Sequence, residues 1–246
     1  MAETSDPGTP SPGYHRQMRA PCFLLLLTGC VFDALPRDPV IVDSPVRFGF
    51  PLPERELFYQ TTGFDHDPEV QDPGLASSIC TNYDGRAFPW CYDGHDGTDY
   101  LLKGDFETMD AGSTAVVAAA DGEVVSVEDG HYDRCHVGSD LVVTCDGHDI
   151  IANHVILEHY DGTQTRYWHL AEGSVSVEVG DEVACGTPLG RVGSSGNSSF
   201  PHLHFEVVDK EGESLDPYRG PESQDESWWE DQGPAEGLPG AGCTAQ

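Results

Sequence analysis

Positive charge is scarce in this chain. Lysine occurs only at Lys103 and Lys210, and 12 basic side chains stand against 43 acidic ones, for a formal net charge of -31. A surface of that sign repels phosphate, which excludes nucleic-acid binding. Long apolar runs are absent as well. None approaches the roughly 20 residues of a membrane-spanning helix. No C-x-x-C pair occurs, so a thiolate metal site is excluded. No segment carries apolar residues at convincing helical spacing, and no long repeat is visible.

One short apolar run is present, Cys22-Phe23-Leu24-Leu25-Leu26-Leu27, and Arg16 and Arg19 precede it. A positive region before a short apolar core reads as a secretory signal. The following Leu27-Thr28-Gly29-Cys30 resembles a bacterial lipobox, in which the cysteine is lipidated. Residues 1–30 are therefore expected to be a signal peptide ending at a lipid-anchored Cys30, with the true start at Met18. A protein so anchored is exported and faces the periplasm from the cell envelope.

Beyond the signal, six cysteines remain: Cys80, Cys91, Cys135, Cys145, Cys185 and Cys243. An even number in an exported chain predicts disulfides, and six cysteines permit about 15 pairings. Short separations favour Cys80–Cys91 and Cys135–Cys145, which leaves Cys185–Cys243. Residues 31–78 are rich in proline and aspartate and read as a tether, or as an arm wrapped on the domain. Residues 79–219 form the expected catalytic domain. Residues 220–246 form an acidic tail in which Trp228-Trp229 is expected to dock onto its own domain.

Within the central region, short apolar segments alternate with Gly- and Asp-containing turns. Strands are predicted near 115–120, 122–128, 140–145, 150–159, 163–170, 182–185, 188–192 and 202–208. The fold class is all-β, a compact antiparallel sandwich or barrel-like domain with irregular extensions.

Three segments carry chemistry. In Pro201-His202-Leu203-His204-Phe205-Glu206 the strand period places His202 and His204 on one face and Leu203 and Phe205 on the other. In Gly94-His95-Asp96-Gly97-Thr98-Asp99 an extended or looped segment offers an imidazole and a carboxylate. Two histidines with one carboxylate are ordinary zinc ligands and leave a fourth tetrahedral position for water. In Thr165-Arg166-Tyr167-Trp168-His169-Leu170 the strand period puts His169 on the face of Tyr167. Read one at a time, each segment is equally compatible with edge-strand, turn or core histidines.

Together and in order, they resemble the LytM/lysostaphin-type zinc endopeptidase family, with its H-x-x-x-D, Y-x-H-L and P-H-L-H-F-E pieces. Supporting turns match too, among them Val179-Gly180-Asp181-Glu182-Val183 and Gly193-Ser194-Ser195-Gly196. The resemblance covers roughly residues 93–218. It implies a Zn2+ cofactor held by His95, Asp99 and His204, with His202 and His169 as catalytic histidines and Tyr167 helping to position substrate. The implied substrate is a peptide bond in the stem or cross-link peptides of bacterial peptidoglycan. Relatives that have lost ligands act instead as non-catalytic regulators of other wall hydrolases, and here all five positions are filled. Residues 103–112 and 129–149 look longer than the family pattern, and both are expected to line the substrate groove. Nothing in the sequence sets the oligomeric state.

Overall fold

The computed structural model describes residues 45–67 and 79–243, apart from 113, 140, 141 and 236. The signal segment and Cys30 lie outside the described residues. Within them the chain forms twelve short strands: β1 (Phe58–Gln60), β2 (Thr98–Leu102), β3 (Ala115–Val117), β4 (Gly122–Glu128), β5 (His136–Val137), β6 (Val143–Thr144), β7 (His154–Glu158), β8 (Gln164–Trp168), β9 (Glu182–Val183), β10 (Pro188–Arg191), β11 (His202–Val208) and β12 (Ser214–Leu215). An eight-stranded sheet runs in the order β1-β2-β11-β8-β7-β4-β9, with β12 paired to β11. Every ladder is antiparallel, and the sheet is open rather than closed into a barrel.

One face of this sheet makes the core. Leu203, Phe205 and Val207 of β11, Tyr167 of β8, and Val155 and Leu157 of β7 are fully buried. The separate β3–β10 ladder adds Val116 and Leu189 to the same cluster, which gives the layered packing expected of an all-β domain. The alternation of β11 therefore sorts as its sequence requires: apolar residues go to the core and His202 and His204 to the opposite face.

Residues outside the central region complete this core. Phe48, Phe50, Leu52 and Phe58 are buried in it, as is Trp229 from the tail. Phe48 donates its N–H to the Trp228 carbonyl at 2.8 Å and accepts from Glu230 N–H at 2.9 Å, so arm and tail hold one another. The three disulfides are Cys80–Cys91, Cys135–Cys145 and Cys185–Cys243, and the last ties the tail to the domain.

The described residues do contain one α-helix, α1 (Asp105–Ala111), in the segment that seemed long. Seven residues between left-handed Gly104 and Gly112 are too few to display helical periodicity, which is why the sequence conceals it.

Candidate metal centre

Three side chains meet on the polar face of the sheet. His204 and Asp99 sit directly opposite each other in the β11–β2 ladder, and His95 precedes β2 in a tight turn. Asp99 Oδ1 lies 2.9 Å from His204 Nδ1 and 3.3 Å from His95 Nε2, and the two imidazole nitrogens are 3.1 Å apart. All three residues are buried, and among the described residues they form the one group able to hold a metal ion.

Hydrogen bonds on the far sides of the rings define what those atoms present. His95 Nδ1–H donates to the Gly63 carbonyl at 2.8 Å, leaving Nε2 as an acceptor. His204 turns Nε2 toward Asp96 Oδ1, 3.5 Å away, and so offers the lone pair of Nδ1. With the Asp99 carboxylate, three acceptors converge at close range. Such an arrangement needs positive charge between them, and the donor set fits Zn2+.

Charge at the cluster responds accordingly. Burial alone would raise the Asp99 carboxyl, but the charges of His95 and His202 hold it well below the usual carboxylate range. Burial would lower His204, yet hydrogen bonds and charge from Asp96 and Asp99 push it up to about 10.

Two further imidazoles flank the cluster. His202 shares the polar face of β11 and places Nε2 3.5 Å from Asp99 Oδ1, while its Nδ1–H donates to the Phe200 carbonyl at 2.7 Å. His169 Nδ1–H donates to the Ser195 carbonyl at 2.7 Å, and its ring centroid lies 4.6 Å from that of His202. Burial pushes both imidazoles down, His169 well below the usual histidine range with help from the His202 and His204 charges. Both are therefore neutral near pH 7.

Tyr167 does not belong to this site. It is wholly buried on the core face, and its hydroxyl accepts the Ala119 N–H at 2.8 Å, so it has no surface to offer a substrate. Nor does His169 share its face. The strand ends at Trp168, and His169 adopts φ 65°, a left-handed conformation that breaks the alternation and turns the ring toward the metal cluster. Such local strain costs on the order of 1–3 kcal/mol and gathers at functional sites.

Sequence reasoning passed over Asp96, although a carboxylate beside His95 was a visible signal. The carbonyls of Gly63, Ser195 and Phe200 left no signal, because a main-chain acceptor belongs to every residue type. Gly97 is needed for close packing: a Cβ there would stand 2.7 Å from both His204 Nε2 and the Phe205 carbonyl oxygen. Gly193 is similar, with Ala171 backbone 2.6 Å from a Cβ.

The histidines open into a cleft of about 600 Å³, bordered by both short disulfide loops through Phe88, Cys91 and Val143. The 129–149 segment thus reaches the groove, whereas residues 103–112, folded into α1, do not line it. Its histidines are engaged separately: His131 contacts Glu128 at 2.6 Å, and His148 stacks on Tyr132 at 4.2 Å.

Comparison with known proteins follows the same residues. The peptidoglycan DD-endopeptidase ShyA of Vibrio cholerae is 34% identical over 71 residues, which is 29% of this chain and 16% of that protein. The murein hydrolase activator EnvC of Escherichia coli is 32% identical over 87 residues, 32% of this chain and 20% of that protein. The chain thus spans a small part of the length of the curated relatives it matches. A crystal structure of a zinc containing peptidase from Vibrio cholerae aligns with 74% of this chain and 40% of its own, at 21% identity and a TM-score of 0.44. The profile of Peptidase family M23 matches residues 94–217, half of the sequence and all of the polar cluster, and the chain belongs to that family.

Proposed function

We propose that this protein is a zinc-dependent endopeptidase that hydrolyses peptide bonds in the stem or cross-link peptides of peptidoglycan. The observation that carries the reading is the convergence of the His95, Asp99 and His204 acceptors beside two neutral imidazoles that face the same cleft. Bound by those three residues, zinc would acidify a water molecule and polarise the scissile carbonyl.

The protein's own part is to hold geometry and move protons. His202 Nε2 is kept as an acceptor by the Nδ1–H bond to Phe200, so it takes the proton of the attacking water and returns it to the leaving amine. His169 is poised in the same way by Ser195. Its Nε2 is a second acceptor for that same proton, and only when His169 rather than His202 holds it can this ring donate to the developing oxyanion.

Disulfides place the protein in an oxidising compartment, which agrees with export to the cell envelope. Lipidation of Cys30 would hold it at the membrane. A regulatory role is the second reading, favoured by the similarity to EnvC, a murein hydrolase activator. The filled set of ligand and proton-transfer positions favours catalysis over that role.

The test is incubation of the zinc-loaded protein with purified peptidoglycan, followed by mass analysis of released fragments. New peptide ends that disappear with a chelator and in His202→Ala support the peptidase and identify the bond. Zinc uptake without cleavage of any wall type supports the regulator.

A further inference from the structure

Among the described residues, the walls of the cleft above the metal cluster carry no basic side chain. Apart from the histidines and acidic groups at its base, its surface is made by Phe88, Pro89, Leu101, Val143 and Phe200, with hydroxyl and amide side chains between them. No lysine or arginine among the described residues lines it. Three basic residues on segments that form the walls are engaged elsewhere. Arg86 pairs with Asp84 at 3.4 Å and lies over the Trp90 ring, Lys103 donates to the Glu56 carbonyl at 2.8 Å, and Arg134 pairs with Asp110 at 2.6 Å. The segments 68–78 and 140–141 contain neither lysine nor arginine.

Desolvating a carboxylate against apolar walls is costly unless a cation receives it. Nothing on these walls does. The field of the whole chain, with formal net charge -31, adds long-range repulsion of the same sign. A neutral amide escapes the repulsion and is far cheaper to desolvate than a carboxylate, and an amine gains from the aromatic faces of Phe88 and Phe200, which are 56% and 45% exposed.

We infer that the groove selects wall peptides by charge: segments whose carboxylates flanking the scissile bond are masked as amides, or which carry a free amine, are bound in preference to those with free carboxylates. This rests on the peptidase reading and names its substrate class. Phe88, Val143 and Phe200 are the specificity-determining residues, since they occupy the wall positions where a carboxylate-binding site would place a cation.

The experiment compares a cross-linked muropeptide dimer with the same dimer after its free carboxylates are converted to carboxamides. Binding is measured by calorimetry on zinc-loaded full-length His202→Ala, and kcat/KM on the unaltered protein. The amidated dimer is expected to bind about tenfold more tightly and to be cleaved with correspondingly higher kcat/KM. Phe200→Arg, a change at an exposed position, is expected to narrow that gap to about threefold or less. Equal binding of the two dimers, or tighter binding of the carboxylate form, overturns the inference. So does a preference that Phe200→Arg leaves unchanged, because selection would then lie outside the wall. If neither dimer is cleaved but the amidated one still binds more tightly, the peptidase reading fails and the charge selection stands.

Discussion

His204 and Asp96 are linked across the floor of the cleft, with Nε2 of the imidazole 3.5 Å from the carboxylate Oδ1. The hydrogen bond from His204 lowers the Asp96 carboxyl below its ordinary range, and Asp96 in turn orients the ring so that Nδ1 faces Asp99 and His95. A carboxylate behind a ligating histidine sets its tautomer and raises its basicity.

Removing that partner should weaken the metal site without disturbing the fold, since the Asp96 side chain is 60% exposed. Asp96→Ala is expected to lower zinc affinity by roughly 10–100-fold, and Asp96→Asn by less, because its amide oxygen can still accept. Competition with a chromogenic chelator measures both. An unchanged affinity in Asp96→Ala would show that Asp96 is a bystander.

The two flanking histidines should separate catalysis from metal binding. His202→Ala and His169→Ala are each expected to lose about 10²–10⁴-fold in kcat while zinc still binds. Zinc content by elemental analysis and turnover on the same samples provide the comparison. Loss of zinc together with activity would instead make His202 a ligand.

Gly97 has no space for a methyl group, with His204 Nε2 and the Phe205 carbonyl both 2.7 Å from a Cβ. Both are held in the central strand β11, so neither yields easily. Gly97→Ala should cost about 1–3 kcal/mol of stability. Zinc affinity should fall with it. Denaturant unfolding with and without zinc reads both effects; a stable variant with normal affinity would mean that the turn relaxes freely.

His159 is buried in the core far from β11's histidines in sequence, its Nδ1–H donating to the Asp121 carbonyl at 2.8 Å and its Nε2 lying 2.9 Å from the Thr165 hydroxyl. Burial pushes its pKa below the ordinary histidine value of about 6.5. Just below that value the unfolded chain binds the proton that the folded chain refuses, so stability rises with pH through this window and falls on acidification. His159→Asn keeps the donor to Asp121 and should flatten the dependence of unfolding free energy between about pH 7 and 5 relative to the parent. Identical slopes in the two proteins would remove His159 from the account.

How much of this was legible depends on where the signal lay. Strands β4 and β11 stand at their predicted bounds because each alternates or runs apolar between strong turn residues. Strand β2 escaped notice because Thr98, Asp99, Tyr100 and Leu102 are all buried, and a strand covered on both faces shows no alternation. Tyr167 and His169 were assigned to one face by the period of two, a rule that stops holding where His169 leaves the strand with positive φ.

The sequence by itself determined the chemistry available: which imidazoles and carboxylates exist, their order along the chain, and an even set of cysteines whose near pairs are joined by short loops. It also determined the anionic character and the scarcity of ammonium groups. Tertiary structure alone decided which atom of each ring faces the cluster. That choice is made by carbonyls at Gly63, Ser195 and Phe200 and by Asp96, contributed by separate segments. Residue types do not encode such contacts; a hydrogen bond to a main-chain oxygen exists only once the chain has folded that oxygen into place.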